Sequence, residues 1–290
     1  MDHKNIQLGT IVISLINKGQ HPSLELPVSY QAFTSRLAPD IILQVHREKA
    51  WAFELDEVLF SVPENWTLGI WHGKKVIQKV LNDSGLHQVL ILQPDYGAGE
   101  VYCVGDRWLE GSPIFYPLQY PLDMLLVINM LARGKGVAIH AAAVDDAGQG
   151  WLFVGRSGAG KSTMAELWLK APGARILNDD RVIISQQNGA YTVHGTPWHS
   201  RLPVVSSQPA PLAGIYFLEH GQENTIEPLS PSDAVAKLMV CCFSTHWDPE
   251  GMNSTLGYLN ELVKRVPCYE LGVVPDTGVV NFIRARNLDR

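Results

Sequence analysis

The segment LFVGRSGAGKSTM, from Leu152 to Met164, constrains the fold more than any other part of the chain. Its residues 155–162 fit the pattern GxxxxGK[ST], with an apolar run before it and the helix-compatible run STMAELWLK after it. Glycines let the backbone curl so that successive N–H groups point inward, and a helix that begins near Lys161 adds its positive end. The alternative is a glycine-rich turn without a ligand. The complete motif with both flanks favours a loop that binds the phosphates of a nucleotide.

The motif predicts a role for each polar residue of the loop. Lys161 is expected to reach the β and γ phosphates, Ser162 to offer its hydroxyl to Mg²⁺, and Thr163 to help complete the first helical turn. The predicted nucleotide-binding residues are Gly155, Arg156, Ser157, Gly158, Ala159, Gly160, Lys161, Ser162 and Thr163. ATP is the default nucleotide, although the sequence does not reveal which residues recognise the base, and pyrophosphate stays open as a donor.

Two strand-like runs precede the loop. GVAIHAAAV begins at Gly136 and GWLFVG at Gly150, and only DDAGQG joins them. This connection is too short for a helical crossover between parallel strands, so the two runs are predicted to pair as an antiparallel hairpin. A phosphate loop in a doubly wound sheet normally follows a strand with parallel neighbours. We therefore expect an α/β fold with a mixed sheet of α+β type.

The region before residue 121 is rich in alternating or β-branched runs, namely IVISLI, IILQVH, WAFEL, WTLGIW, QVLIL and VYCVG. They predict a β-rich N-terminal region over residues 1–120, either a scaffold or a part of substrate recognition. Pro121 then opens LDMLLVINMLARG, which is apolar on nearly every side. This run predicts a buried helix that Gly134 ends, and residues 121–290 form the second predicted domain.

Two acids follow the loop helix in APGARILNDDRVII, which predicts a turn, a strand, the pair Asp179 and Asp180, and another strand. One helix and one return strand would bring both carboxylates back beside the loop. Phosphoryl transfer to a hydroxyl uses one carboxylate on the metal and a second one to accept the proton. The alternative is a solvated turn, because Asn and Asp favour turns. The neighbouring phosphate loop favours the acid pair.

His140 and the segment HGTPWHSRLPVV each carry two interpretations. A lone histidine among small apolar residues is commonly a hydrogen-bonded core residue, but the predicted hairpin would place His140 beside the loop, within reach of a phosphate or an acid. In the segment, Trp198 could offer a stacking face and Arg201 could hold a phosphate. The alternative for the segment is a surface turn with a packed tryptophan.

The C-terminal region completes the predicted core. GIYFLEH predicts a strand, SPSDAVAKLMVCCF a helix capped by Ser230 or Ser232, and VPCYEL and VVNFIRA two further strands. Cys241 and Cys242 are expected to pack as small hydrophobic residues without chemistry of their own.

Charge and cysteine content exclude several classes of protein. The net charge is -6, from 29 acidic and 23 basic residues, without the lysine or arginine runs that attract nucleic acid or anionic lipid. The four cysteines suit a reducing compartment. Neither a signal peptide nor an apolar run long enough to span a bilayer is found. We expect a cytoplasmic protein with neither nucleic-acid nor membrane partners.

Three of these features together resemble the HPr kinase/phosphorylase family, whose catalytic domain shares the nucleotide-binding core of phosphoenolpyruvate carboxykinase. In that family a histidine followed by small residues stands on a strand before a GxSGxGKS loop, and a DDR segment follows the loop helix. The corresponding residues here are His140, the loop GRSGAGKS, and Asp179-Asp180-Arg181. The resemblance covers Gly136 to Pro197 well and does not cover the β-rich N-terminal region.

The resemblance implies a phosphoenolpyruvate carboxykinase-like P-loop kinase core and an HPr kinase-like catalytic domain over residues 121–290. It implies that Asp179 is the base, that Asp180 holds Mg²⁺ together with Ser162, and that His140 supports the site. Because that family forms oligomers, it also raises the expectation of a homo-oligomer. The chain departs from the family in reading GKST where the family has GKSE, and in lacking its arginine-containing segment for dephosphorylation. These departures point away from HPr, and the chain looks more like the HPr-kinase-related proteins found near peptide-modification genes, some of which phosphorylate a serine of a ribosomally made peptide.

The sequence therefore predicts an ATP- and Mg²⁺-dependent kinase that phosphorylates a hydroxyl, with a serine of a peptide or protein as the first choice of acceptor. The alternatives are a small-molecule hydroxyl kinase and a non-catalytic module that senses ATP. The predicted catalytic residues are Asp179, His140, Lys161 and Asp180, and the predicted metal ligands are Ser162 and Asp180.

Overall fold

The structure is a computed structural model that describes residues 2–17, 23–48, 54–81, 86–105 and 116–288. The chain divides into two compact units. The first comprises Met1–Gln7 and Ile11–Met130, and the second comprises Leu8–Thr10 and Leu131–Arg290. The roles that the sequence assigns to the N-terminal and C-terminal regions stay predictions.

The first unit is built on a mixed sheet of eight strands. They are β1 (Asp2–Leu8), β2 (Ile11–Asn17), β3 (Ile41–Glu48), β4 (Glu57–Val62), β5 (Trp66–Trp71), β6 (Lys74–Leu81), β7 (Leu86–Leu92) and β8 (Ala98–Val104). The strand order is β1-β2-β3-β8-β7-β6-β5-β4. Strands β2, β3 and β8 pair in parallel, and β4 to β8 pair antiparallel in chain order.

The predicted strand runs differ in their burial, because β2 is buried at nearly every position whereas β3 follows the two-residue period of a strand with one buried face. In β3, for example, Ile41, Leu43 and Val45 are buried while the residues between them are more exposed. The WAFEL run is the exception. Its residues 51–53 lie outside the described residues, and Glu54 and Leu55 are not in a strand.

Where the structure describes the first unit, it contains two helices, α1 (Val28–Gln31) and α2 (Leu122–Met130). Every residue of α2 is buried, as its continuous apolar sequence predicted. Its two polar residues have partners, since Asp123 accepts a hydrogen bond from Tyr30 Oη and Asn129 accepts one from Tyr96 Oη at 3.1 Å. A π turn spans Leu131–Lys135, and Gly134 has a φ of 84° at the predicted end of the helix.

The described residues of the second unit form eight strands and four α-helices. The strands are β9 (Val137–Asp146), β10 (Gln149–Val154), β11 (Ala174–Asn178), β12 (Arg181–Gln187), β13 (Ala190–His194), β14 (Ala210–His220), β15 (Thr225–Pro228) and β16 (Cys268–Val273). The helices are α3 (Lys161–Leu169), α4 (Pro231–Cys241), α5 (Pro249–Arg265) and α6 (Gly278–Leu288). The strand order is β10-β9-β12-β13-β14-β16-β15, with β11 paired to β9 and β10 paired also to β14.

The predicted hairpin before the loop is confirmed, because β9 and β10 pair antiparallel. Ala141 pairs with Val154 at one end of the ladder, and Asp146 pairs with Gln149 at the other. On its other side β10 pairs in parallel with β14. The strand that leads into the glycine-rich loop therefore has one antiparallel and one parallel neighbour, and the α/β fold contains a mixed sheet, as expected.

Helices cover both faces of this sheet. Ile139, Ala141 and Ala143 belong to a buried cluster with residues of α4 and α5, whereas Ala142 and Val144 belong to a second cluster with residues of α3 and α6. A strand buried on both faces reads as an unbroken apolar run, which explains the sequence of β9.

One C-terminal prediction is wrong. The run VVNFIRA forms helix α6 and not a strand. Its β-branched residues favour a strand locally, but Val279 and Ile283 lie one helical turn apart and are both fully buried against the second cluster. The strand at VPCYEL and the helix capped by Ser230 are confirmed, and Ser230 Oγ accepts a hydrogen bond from Asp233 N at 3.2 Å.

Among the residues that the structure describes, no helix is both long and apolar enough to cross a membrane.

Candidate functional site

The glycine-rich loop connects the end of β10 at Val154 to the start of α3 at Lys161. A Cβ atom on Gly155 would come within 2.6 Å of Ala159 Cβ, so the two ends of the loop pack too closely for any side chain at position 155. Gly160, the residue before the helix, has a φ of 96°, which a residue with a side chain adopts only with strain. The sequence pattern thus produces a tight turn that presents the N-terminus of α3.

Lys161 is the first residue of α3 and is only 6% exposed. Its ammonium group donates hydrogen bonds to the carbonyl oxygens of Gly155, at 2.8 Å, and Arg156, at 3.0 Å. Burial lowers the pKa of Lys161 below its ordinary value, while the nearby Cys241 and Asp180 oppose this shift. The cation therefore lies folded against the loop, next to one member of the acid pair. Arg156, Ser157 and Gly158 are exposed on the loop surface.

Asp179 follows β11 and lies beside the loop helix. The Ser162 hydroxyl donates to its Oδ2 at 3.4 Å. Its two carboxylate oxygens also accept backbone hydrogen bonds from Ser200 and Leu202, each at 3.1 Å. Asp179 is 1% exposed, so these three donors replace the water that a surface aspartate would bind. The carboxylate thereby connects the loop helix to the segment after β13.

Asp180, in the same turn, has a different set of partners. His140 Nδ1 lies 3.1 Å from its Oδ1 and 3.0 Å from its backbone oxygen, and Arg181 forms an ion pair with Oδ2. Because both neighbours of His140 Nδ1 are acceptors, that nitrogen carries the proton. Burial alone would raise the pKa of Asp180, but the hydrogen bond with His140 and the charge of Arg181 outweigh it and lower the pKa below its ordinary value. Asp180 is held as a carboxylate.

Asn178 organises the turn that carries both acids. Its side-chain oxygen accepts hydrogen bonds from the backbone N–H groups of Asp180, at 2.7 Å, and Arg181, at 2.9 Å. Its amide donates to the Thr196 carbonyl oxygen at 2.8 Å, and the residue is fully buried. The Asn-Asp-Asp-Arg sequence therefore forms a turn, as the local propensity of its residues indicates, but the turn is buried and not solvated.

Ser162 and Asp179 supply two adjacent oxygen donors of the type that Mg²⁺ prefers. Within the described ranges, no group of three or more His, Cys, Asp or Glu side chains is arranged to hold a metal ion. Magnesium that binds together with a nucleotide requires few protein ligands, because phosphate oxygens and water complete its octahedron. The residues at the loop fit a magnesium ion of this kind.

The other residues that the sequence singled out are Trp198, Arg201, Thr163, Cys241 and Cys242. Trp198 is 5% exposed, which favours the packed alternative for this residue. Arg201 is exposed, and its Nη2 lies 3.1 Å from Oε1 of Glu166 in α3. Thr163 occupies the first turn of α3, as expected. Cys241 and Cys242 are free thiols, and burial raises the pKa of both, to about 12 for Cys242.

Sequence reasoning missed two residues of the site. Asn178 positions both acids and Arg181 pairs with Asp180, yet neither was among the predicted site residues. The signal was present, because both residues flank the acids directly in NDDR. An Asn that precedes an acid pair after a buried strand is a candidate for holding the turn through its side-chain oxygen.

Fold and site together define a mixed α/β protein in which a glycine-rich loop, between a strand and a helix, lies beside two buried carboxylates. The model of one family, described as SynChlorMet cassette protein ScmC, matches residues 118–275. The match covers more than half of the chain, and the chain belongs to the ScmC family.

Among solved structures, the chain is similar to the Hpr(Ser) kinase/phosphatase from Coxiella burnetii. The identity is 10%, the similarity covers 52% of this chain and 97% of that one, and the TM-score is 0.33. A similarity at this level supports no conclusion about fold or activity. No curated protein matches the sequence.

Proposed function

We propose that the chain is a kinase that transfers the γ-phosphoryl group of ATP to a hydroxyl group, with Mg²⁺ bound beside the loop. The contact between the Ser162 hydroxyl and the buried carboxylate of Asp179, at 3.4 Å, carries this proposal. It joins the glycine-rich loop to an acid pair whose second member, Asp180, is held by His140 and Arg181. A phosphate loop, an oxygen pair for the metal and a second carboxylate are the parts that phosphoryl transfer requires.

The neighbours of the two acids indicate which one binds the metal and which one accepts the proton. The resemblance to the HPr kinase family assigns Asp180 to the metal and Asp179 to the proton. The contacts support the reverse division, because Ser162 lies next to Asp179 and not among the partners of Asp180. We therefore assign Asp179, with Ser162, to the metal side and Asp180, oriented by His140, to the acceptor side.

The transfer then follows from the positions of these residues. The acceptor oxygen bonds to the γ phosphorus while the bond from this phosphorus to the β–γ bridging oxygen breaks, and ADP leaves. The proton of the acceptor hydroxyl passes to the carboxylate of Asp180. Lys161 and the loop N–H groups stabilise the transferred phosphoryl group, once Lys161 exchanges its two loop carbonyl partners for phosphate oxygens. When bound, Mg²⁺ supplies neutralisation of the β- and γ-phosphate charge.

The acceptor in this proposal is a serine of a peptide or protein. This choice rests on the sequence resemblance, since the family description names no substrate. A small-molecule hydroxyl is the alternative acceptor. A non-catalytic role in sensing ATP is the alternative to kinase activity.

Transfer of label from γ-labelled ATP tests the function. The protein is incubated with Mg²⁺ and a lysate of its source cells, which is then separated into peptide, protein and metabolite fractions. The wild type is expected to label the peptide or protein fraction, and Asp180→Asn to reduce the label by a factor of about 10²–10⁴, the usual contribution of a general base. Asp276→Asn, a change at an exposed aspartate, is the matched control and is expected to retain the label.

Three other results are informative. Label confined to the metabolite fraction would make the acceptor a small molecule. ATP binding with neither label nor free phosphate would replace the kinase with a sensing module. Full activity of Asp180→Asn together with an inactive Asp179→Asn that still binds Mg²⁺ and ATP would restore the division that the resemblance implies.

A further inference from the structure

A cavity of about 460 Å³ lies beside the glycine-rich loop within the second unit. Gly155, Arg156 and Ala159 of the loop form part of its wall together with Val154 of β10, and the rest comes from the end of β14 and from one face of α4. Small-molecule sites in proteins typically have volumes of about 300–1,000 Å³. The cavity is therefore large enough for a ligand and is continuous with the loop.

The cavity and the acid pair lie on opposite sides of β10. At the end of this strand, Val154 pairs with Ala141 of β9 on one side and with Phe217 of β14 on the other. The acid turn is on the β9 side, where Ala141 N donates a hydrogen bond to the Asp180 carbonyl oxygen at 3.0 Å. The cavity is on the β14 side, where Phe217 and Leu218 line it.

The walls combine apolar surface with one charged edge. Val154, Phe217, Leu218, Ala236 and Val240 provide the apolar part. Lys237 stands at the edge, where its ammonium group donates to Glu219 at 3.0 Å and to Glu270 at 2.9 Å. Mostly apolar walls with a few fixed donors and acceptors are typical of sites for small-molecule ligands and cofactors.

We infer that this cavity holds the base of the nucleotide whose phosphates lie on the loop, an inference that rests on the proposed kinase function. The γ phosphate must face the acids on the β9 side, so the other end of the nucleotide extends toward the β14 side. The apolar walls receive the faces of the base, and the Lys237–Glu219 pair offers a donor and an acceptor to its edge. Base recognition then resides in α4 and β14.

A comparison of two ligands tests this inference. ATP and inorganic tripolyphosphate share the phosphate chain, but only ATP carries a base. The measurement is the dissociation constant of each for the full-length protein, with Mg²⁺ present. The changes are Val240→Trp and Ala236→Trp, which fill the cavity from exposed positions of α4, and the control is Leu256→Trp at an exposed position of α5.

Wild-type protein is expected to bind ATP at least about tenfold more tightly than tripolyphosphate, which corresponds to about 1.4 kcal/mol. Both α4 variants should weaken ATP binding by about tenfold and leave tripolyphosphate binding within about twofold of wild type. The control variant should bind both ligands as the wild type does.

The unfavourable outcomes are distinguishable. Equal affinity of the wild type for the two ligands, or α4 variants that bind ATP normally, would overturn the inference and leave the kinase proposal standing. Normal ATP binding with lost labelling of the acceptor would assign the cavity to the acceptor. A wild type that binds neither ligand would remove the kinase proposal itself.

Discussion

Both units of the molecule bury carboxylates, but they do so in different surroundings. In the first unit, Asp123 lies in α2, accepts a hydrogen bond from Tyr30 and accepts another from the Met124 backbone at 2.7 Å. In the second unit, Asp179 and Asp180 lie beside a glycine-rich loop with a buried lysine and a serine hydroxyl. Burial of an acid alone therefore shows only that hydrogen-bonding or charged partners offset the free-energy cost of removing it from water. We expect the groups assembled around the acid to distinguish a reactive site from a structural one.

The largest effect is expected from removing the loop cation. In Lys161→Met, the transferred phosphoryl group loses its ammonium partner, and phosphoryl transfer should fall by a factor of about 10³. Steady-state transfer from γ-labelled ATP measures this loss. Lys170→Met, at the exposed end of the same helical segment, is the control and should retain wild-type activity. An active Lys161→Met variant would break the comparison, because the buried cation would then be structural.

A second effect concerns His194, a partly buried residue of the second unit that lies outside the loop. Burial lowers the pKa of His194 to about 4, and its Nε2 lies 2.8 Å from Ser185 Oγ. The unfolded chain therefore takes up a proton at higher pH than the folded one does. The free energy of unfolding should fall by roughly 3 kcal/mol as the pH drops from about 6.5 to about 4.

Denaturant unfolding at several pH values measures this loss. In His194→Gln the fall in the free energy of unfolding between these pH values should be smaller by roughly 3 kcal/mol, since the titrating group is gone. Parallel pH profiles for the wild type and the variant would contradict this account of His194.

The smallest of the three effects is expected in the first unit. In Asp123→Asn the hydrogen bond with Tyr30 is weakened and one buried amide needs new partners, which should lower the free energy of unfolding by about 1–3 kcal/mol. Urea unfolding measures this change. ATP binding and phosphoryl transfer should match the wild type at a temperature where the variant is folded. Loss of transfer in folded Asp123→Asn would end the distinction between structural and reactive acids.

Short-range patterns were sufficient to predict much of the second unit. The six-residue connection predicted the β9–β10 hairpin, and the glycine pattern predicted the turn from β10 into α3. The position of Asp179 beside Ser162 followed from one helix and one return strand. Each of these features depends on residues close in sequence, for which backbone geometry leaves few alternatives.

Features that depend on distant partners were missed. Helix α6 reads locally as a strand, and only its packing against α3 and the sheet favours the helix. Helix α5 was not predicted at all. The cavity beside the loop combines β10, β14 and α4, so no single segment of the sequence carries a signal for it. The partners of Asp179 at Ser200 and Leu202 likewise lie more than 20 residues away in the sequence.

The most direct test of the central claim, that the loop and the acid pair form one nucleotide and metal site, is the affinity for ATP with and without Mg²⁺. For the wild type, Mg²⁺ should tighten ATP binding by at least about tenfold, or about 1.4 kcal/mol. Asp179→Asn should lose this gain and retain the affinity for metal-free ATP, whereas Asp123→Asn should retain both. A wild type that does not bind ATP, or an Asp179→Asn variant with the full gain from Mg²⁺, would contradict the account.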